Sequence, residues 1–418
     1  MFGRKKHEVL VVGAGPVGSF AALALARRGV RVEVIDRAWS SGTRSYALAL
    51  HADALRLLEQ ADALGSVLER AHRVRRVGLY EGKDRRAEMR IADLPEDHSF
   101  LAVIRQDALE AELEKQLRAA GVKIKWSHEL TGLEQDGQRV RTHLDRLAKD
   151  SIGYVVQHTE WVVTKSWDEE FAFVIGADGH ASRVRRTLDI ASRQVVDTTD
   201  FAVFEFHTDA DLGDEMRLIL DDHGANVVWP LPGGYCRFSF QIPVQARDED
   251  TREKSRELVM PGEGYGDELS VEHLRELLAA RTPWFSGGID GIRWSDFVRF
   301  EGRLADSFGH GRVWLAGDAG HMTGPAGIQS MNVGLREAWD LGNHLADILQ
   351  DRATPAVLED YGQARTREWR RLLGLEGGLR ATAHTDPWIA SQRHLLPSCI
   401  PASGADYARL AAQLGLEA

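Results

Sequence analysis

Near the N-terminus, Glu8–Val12 is apolar after its first residue, and Val30–Ile35 is a β-branched run that includes Arg31 and Glu33. The first predicts a strand buried on both faces, as in a parallel sheet, and the second predicts another strand. Between them a turn rich in glycine leads into a small-residue apolar stretch from about Pro16 to Arg28, which predicts the crossover helix. By hydropathy alone, Arg4, Lys5 and Lys6 ahead of Val9–Ala26 also fit a signal peptide or a membrane start. Gly13, Gly15, Pro16 and Gly18 interrupt that stretch, and the second run ends in Asp36, so the strand–turn–helix–strand reading is preferred. No other run is long enough to span a bilayer.

Further along, Ala47–Leu64 reads as a helix and Val74–Met89 as a strand or hairpin at a sheet edge. Asp107–Ala120 is an amphipathic helix on Leu109, Leu113 and Leu117, closed by Gly121 and followed by the strand Val122–Trp126. Strand-like stretches recur through 130–175. Residues 201–242 alternate in short β-rich runs between turn residues, which predicts an antiparallel sheet. Arg247–Glu263 is charged, an exposed helix or loop, and Val271–Ala280 is helical. Ile292–Phe300 and Gly311–Gly317 read as strands, Asn332–Leu349 as a helix, and the chain from Leu358 as helical with a break at Leu396–Gly404. The pattern predicts an α/β chain with a discontinuous nucleotide-binding domain (1–75, 100–190 and 295–350). That domain encloses an antiparallel β-rich domain (76–99 and 191–294), and a C-terminal helical segment (351–418) follows.

Composition narrows the function classes. With Lys+Arg 52 against Asp+Glu 63, the net charge of −11 repels nucleic acid and anionic membranes. The two cysteines, Cys236 and Cys399, and the 16 histidines show no metal-ligand spacing, so neither a disulfide framework nor a structural metal is expected, and a reducing cytoplasm fits.

The chemistry begins at Gly13-x-Gly15-x-x-Gly18, which lies between strand and helix. In such a fingerprint the first glycine permits the tight turn, the second the approach of a pyrophosphate, and the third close helix–strand packing. The diphosphate then rests on the free N–H groups and positive end of the helix that begins at Pro16 and Val17. Asp36, roughly 20 residues on, is placed to accept hydrogen bonds from an adenosine ribose. Two more strands end in acids: Phe173–Arg186 contains Asp178-Gly179, and Val313–Gly334 contains Gly317-Asp318. Each can meet a sugar or ribityl hydroxyl, or can cap a helix, and taken singly the residues leave both open.

Taken in order, these motifs make the sequence resemble the group A FAD-dependent monooxygenases, the para-hydroxybenzoate hydroxylase-like flavoproteins. The resemblance implies a Rossmann-like FAD-binding domain of the GR2 type with an inserted antiparallel β-sheet substrate domain and C-terminal helices. It assigns Gly13, Gly15, Pro16, Val17, Gly18, Asp36 and Arg37 to the ADP half of FAD, with Arg44 beside the pyrophosphate. It makes Arg105-Gln106 an FAD-contacting pair, ties Asp178 to the pyrophosphate side and to NAD(P)H use, and gives the ribityl chain to Gly317 and Asp318. Where the family often reads Pro-x-Gly-Gly-Gln-Gly-x-Asn beside the flavin ring, this chain has Pro325, Gly327, Ile328, Gln329, Ser330 and Asn332. Ile328 and Ser330 stand for glycines, so the loop is expected to take a different path if that position needs a positive φ.

The activity implied is hydroxylation or other oxygenation of an aromatic or polyketide-like small molecule by NADPH or NADH and O2, through a C4a-hydroperoxyflavin. No side chain stands out for acid–base catalysis, and the flavin-side loop (Pro325, Gly327, Ile328, Gln329) is the reaction-side candidate. Trp229 is a candidate for stacking on substrate, while His51, His223 and His321 read as packing, surface or loop-bonding histidines. One GxGxxG alone leaves the nicotinamide a transient visitor. A halogenase is disfavoured because its Trp-x-Trp-x-Ile-Pro signature is absent. A flavin reductase or dehydrogenase, and a flavin-binding protein without oxygen chemistry, remain as alternatives. No membrane or nucleic-acid partner is expected, and nothing in the sequence fixes the oligomeric state.

Overall fold

The computed structural model describes residues 7–40, 49–95, 97–152, 158–221, 224–244 and 269–418. Val9–Val12, all four residues buried, forms a central strand of a six-stranded sheet. Phe173–Gly176 and then Val313–Leu315 lie to one side of it, Val32–Asp36 and then Ile124–Trp126 to the other, all parallel. The register places Val12 opposite both Gly176 and Ile35, and Gly176 opposite Leu315. The strands thus end level, and the three acidic motifs emerge side by side at their carboxyl ends, where open α/β sheets gather ligands. The helix Pro16–Arg27 covers one face, and its neighbour there is the 21-residue helix Gln329–Leu349. Phe20 stacks on Trp339 at 5.9 Å between ring centres, which locks the two helices together.

The second layer is an eight-stranded sheet. In order it holds His321–Met322, Asp290–Ala305, Ser192–His207, Tyr235–Ile242, Gly224–Pro230, Glu215–Asp221, Arg76–Glu81 and Asp84–Arg90. It is antiparallel except where Glu215–Asp221 pairs parallel with Arg76–Glu81. The hairpin expected over 74–89 is therefore the outer edge of this sheet. Asp290–Ala305 runs unbroken across the boundary expected at residue 294, and His321–Met322, expected in the nucleotide-binding part, pairs with it. The 130–175 stretches make a separate three-stranded sheet from His128–Gln135, Val140–Ile152 and His158–Phe171.

Several elements depart from the pattern reading. Ala47–Leu64 is not one helix: the described part is a strand, Ala49–Leu50, then the helix Ala52–Gln60. The same apolar spacing serves both, because Ala49 and Leu50 are fully buried in pairing with Leu101–Val103. The long helix expected from Asn332 starts at Gln329. Residues beyond 351 form the helices Ala356–Leu372, Pro387–Gln392 and Gly404–Gln413, plus a two-stranded ribbon of Arg380–Ala381 and Leu416–Glu417 that a helical reading omits. The segment Arg247–Glu263 and His223 lie outside the described residues. Among the described residues no helix is long and apolar enough to cross a membrane.

Candidate cofactor and substrate site

The fingerprint turn has the geometry its glycines suggest. Gly13 has φ +104°, and a Cβ there would stand 2.2 Å from the Ala177 carbonyl oxygen. At Gly18 a Cβ would stand 2.0 Å from the carbonyl of Gly13, so helix and strand touch backbone to backbone. Gly15 is different: nothing lies within 4 Å of the place its Cβ would take. It sits at the N-terminus of Pro16–Arg27, which has no side-chain cap and no acidic residue in its first turn. Its N–H groups and positive end therefore face open space. Asp36 accepts a hydrogen bond from the Ala14 N–H (2.7 Å) and one from the Ala38 N–H (2.8 Å). A carboxylate has about four acceptor positions, so two remain for another donor. Arg37 is exposed and makes no hydrogen bond to the described residues, and Arg44 lies outside them.

Asp178 and Asp318, alike in sequence, do different work. Asp178 accepts from the Ser182 hydroxyl (2.5 Å) and from the N–H groups of Arg183 (2.7 Å) and Val184 (3.1 Å), so it caps the short helix Arg183–Thr187. Burial nevertheless raises its carboxyl pKa. Arg185 then donates to the Ala319 carbonyl at 2.8 Å, strapping the second motif to the third. The Asp318 side chain is exposed at the end of its strand, and its carboxylate has no hydrogen-bond partner among the described residues. Desolvation there raises its pKa, while His321 and His180 nearby act the other way. A carboxylate so placed, without a partner among the described residues, can accept hydrogen bonds from a polyol.

Beneath Gly317 lies a group that the sequence reading missed. Glu337, fully buried, accepts from the Gly317 N–H (2.8 Å), His321 Nε2 (2.9 Å) and Trp369 Nε1 (2.8 Å). Burial pushes its carboxyl up, but His321, Arg365 and Trp369 together hold it below the usual value. His321 also stacks on Trp369 at 3.7 Å. The expected bond from His321 to loop backbone is therefore replaced by one to a buried acid on the helix Gln329–Leu349.

The loop after Met322 carries the largest surprise. Ile328 adopts the left-handed conformation (φ 49°, ψ 39°) that a glycine would, so the backbone keeps that path at a strain of about 1–2 kcal/mol. Gly327 does not leave its N–H open: it donates to the Ser398 carbonyl at 2.7 Å. Its missing Cβ makes room for the Ser398 and Ile400 carbonyls, 2.7 and 2.8 Å away, and not for a cofactor. Gln329 likewise turns to this segment, donating to Pro397 (2.9 Å) and Ile400 (3.1 Å). His51 proves buried rather than superficial. Its Nε2 must carry the proton, since its partner at 2.8 Å is the Gly327 carbonyl, and burial lowers its pKa to about 4.

Pro325 and Ile328 form one wall of a small, partly open cleft. The other wall is the eight-stranded sheet: Val203, Val227, Trp229, Arg237, Ser239, Trp294, Val298 and Phe300. Trp229, the candidate for substrate stacking, lines this cleft and is 2% exposed. Arg237 lies over the Trp294 ring at 4.9 Å and bonds Glu205, fully buried, at 2.7 Å. Arg105 also bonds Glu205, and pairs with Asp107 at 3.3 Å. Its guanidinium therefore meets the second sheet instead of standing open.

Residues 6–374 match the family model described as FAD binding domain. The chain belongs to this FAD-binding-domain family. It is similar to pentachlorophenol 4-monooxygenase of Sphingobium chlorophenolicum, 29% identical over 87% of this chain and 63% of that one. The 6-methylpretetramide 4-monooxygenase of Streptomyces rimosus is 30% identical over 88% of this chain and 60% of its own. The chain thus spans about three fifths of the length of both relatives. Among solved structures, p-nitrophenol 4-monooxygenase from Pseudomonas putida shares the fold, with a TM-score of 0.71 at 21% identity, covering 98% of this chain and 93% of that one.

The residues present fit the family's FAD. The open position at Gly15, the uncapped helix N-terminus and the spare acceptors of Asp36 suit an ADP half. The unpartnered Asp318 carboxylate at the end of Val313–Leu315 suits a polyol chain. A pattern signal existed for Glu337: a lone acid on the helix stripe that carries Val333, Ala338 and Leu341. Arg237 and Glu205 carry no such signal, because each alternates with aromatic residues in a strand buried on both faces.

Proposed function

We propose that this chain acts as an FAD-dependent monooxygenase, using NADPH or NADH and O2 to hydroxylate an aromatic or polyketide-like small molecule. The observation that carries the reading is the cleft between the Pro325–Ile328 wall and the eight-stranded sheet. Its lining is apolar and aromatic apart from Arg237 and Ser239, which suits a ring held by its faces and oriented by one polar edge. The two curated relatives are named as monooxygenases of pentachlorophenol and of 6-methylpretetramide, which supports the same substrate class. Bound FAD supplies the activation of O2, which no protein side chain can provide.

The chain's own residues have definable tasks in this reading. Gly13, Gly15, Pro16, Val17, Gly18 and Asp36 hold the ADP half, and Asp318 holds the ribityl chain. Pro325, Ile328 and the valines of the sheet exclude water from the reacting face. Trp229, Trp294 and Phe300 fix the ring plane. The Ser239 hydroxyl, which makes no hydrogen bond to the described residues, and Arg237 bind an oxygen on the ring and set which carbon faces the reaction. The test is NADH and NADPH oxidation by the FAD-loaded protein with a panel of phenols and polycyclic phenols under labelled O2. Label in the product supports the reading. Turnover that persists without O2 makes the protein a reductase, and a flavin that neither nucleotide reduces makes it a flavin-binding protein.

A further inference from the structure

The family match ends at residue 374, yet residues beyond it reach the loop that forms the reaction-side wall of the cleft. The turn Leu396–Ser398 and the residues up to Ser403 are buried or half-buried, and they face Gly327 and Gln329 with a row of backbone carbonyls. Three hydrogen bonds cross: Gly327 N–H to Ser398, and the Gln329 carboxamide to both Pro397 and Ile400. Gln329 has no exposed surface, so these bonds are shielded from water. On the opposite side, His51 holds the Gly327 carbonyl, while Asn332 holds the Ile328 carbonyl (2.8 Å), the Ala49 carbonyl (2.9 Å) and the His51 N–H (2.7 Å).

The strained residue, Ile328, lies between these two sets. A β-branched residue keeps a left-handed conformation only where its neighbours over-determine it. Asn332 and His51 fix one side, and the C-terminal carbonyls fix the other. The segment is itself anchored at a distance: Asp406 pairs with Arg56 (3.4 Å), and Gln413 exchanges hydrogen bonds with the Arg90 backbone.

We propose that Gln329 is a positioning residue, and that through it the segment 396–403 sets where Ile328 and the N-terminus of the helix Gln329–Leu349 stand relative to the flavin. Resting on the FAD reading, the proposal gives this stretch a role in tuning the cofactor as well as in packing. That helix N-terminus has no side-chain cap and no acid in its first turn, so it favours negative charge, which a flavin gains on reduction. Releasing Gln329 from its carbonyls moves that end away and weakens the preference for the reduced form.

The test uses the full chain loaded with FAD and needs no substrate. Gln329→Met removes both donors at similar volume, and Gly327→Ala drives a Cβ against the Ser398 and Ile400 carbonyls. Leu410→Ala, in the buried face of Gly404–Gln413, destabilises the same C-terminal region without touching the loop. The readouts are the reduction potential of the bound flavin, its visible spectrum, and the urea midpoint. The two loop variants are expected to lose about tenfold of the preference for reduced over oxidised flavin, about 30 mV for a two-electron couple. Leu410→Ala is expected to lower the urea midpoint with the potential unchanged. The proposal is overturned if the loop variants lower the urea midpoint and leave the potential and spectrum as in the wild type, or if Leu410→Ala moves the potential equally. A chain that binds no FAD under any condition refutes the cofactor reading itself, a separate outcome.

Discussion

Replacing Glu337 by glutamine changes one atom and should disrupt the floor of the cofactor site. The carboxylate, with no exposed surface, takes three N–H groups: Gly317 and His321 on Oε2, Trp369 on Oε1. An amide offers a single oxygen. Its least costly placement keeps Gly317 and His321 and turns the NH2 toward Trp369, leaving two donors face to face. A stranded buried donor costs about 1–3 kcal/mol. The two surviving bonds lose their charge assistance, about 1 kcal/mol each, since charged bonds are roughly twice as strong as neutral ones. The gross loss is about 3–5 kcal/mol. Relief from burying a charge offsets part of it, but Arg365 beside the site loses a counter-charge. A net loss of about 2 kcal/mol or more is expected.

A double-mutant cycle separates the stranded donor from the rest. Trp369→Phe removes the N–H and keeps a ring against His321, so Glu337→Gln made in that background should cost about 1–3 kcal/mol less than in the wild type. Urea unfolding followed by far-UV circular dichroism gives the energies, and flavin released on gel filtration reports the site. If Glu337→Gln costs the same with and without the Trp369 indole, the three-donor account is wrong.

Other expectations follow from single observations. Gly18→Ala puts a methyl 2.0 Å from a backbone carbonyl, so FAD-loaded protein should not be recovered, whereas Gly29→Ala, far from the cradle, should keep its flavin; soluble yield and flavin absorbance check both. Asp318→Ala should weaken FAD binding by the worth of a charged hydrogen bond, about 1.5–3 kcal/mol, with little change in the urea midpoint of the apoprotein. The His51 pKa is lowered on folding, so its contribution to stability is complete above about pH 6.5 and is lost as the pH falls toward 4, by up to about 3 kcal/mol. His51→Gln keeps a donor for Gly327 and should flatten that part of the stability–pH curve.

The nucleotide half was legible because its constraints are local. A strand buried on both faces, a turn with room only for glycine, and an acid at the next strand end leave their marks within 30 residues, and Val9–Asp36 folds as read. Asp178 and Asp318 show the limit of such marks. Each follows a strand that ends in glycine or leads into it, yet one caps a helix with Ser182 while the other has no hydrogen-bond partner among the described residues. What separates them is the next turn of chain, which the local spacing does not record. Glu337 was within reach as a charge on an apolar stripe, but its three donors come from positions 317, 321 and 369. Arg105 was read as a cofactor ligand, and the acid that engages it is a hundred residues away in a strand whose register no periodicity reveals.

Ile328 brings these limits together and supplies the riskiest expectation. An isoleucine in place of a glycine argued that the loop takes another path, because a positive φ costs a β-branched residue about 1–2 kcal/mol. The structure keeps the path and accepts the strain. What offsets it is visible on both sides of the residue: a side chain 7% exposed against Pro325 and the sheet, and a backbone pinned through Asn332, His51 and Ser398. Ile328→Gly removes the strain but gives up a nearly buried side chain, worth about 2–5 kcal/mol in comparable truncations, and adds about 0.5–1 kcal/mol of backbone entropy to the unfolded state. The variant should therefore be less stable by about 0.5–5 kcal/mol, against the ordinary rule that glycine is favoured at a positive φ. It should also admit water to the cleft wall and divert electrons from product to peroxide, with FAD affinity little changed. Parallel measurement of the urea midpoint and of peroxide per NADH consumed decides the matter. A variant more stable than wild type, or one equally coupled, means that the side chain neither packs nor shields, and that the left-handed turn exists for the C-terminal carbonyls alone.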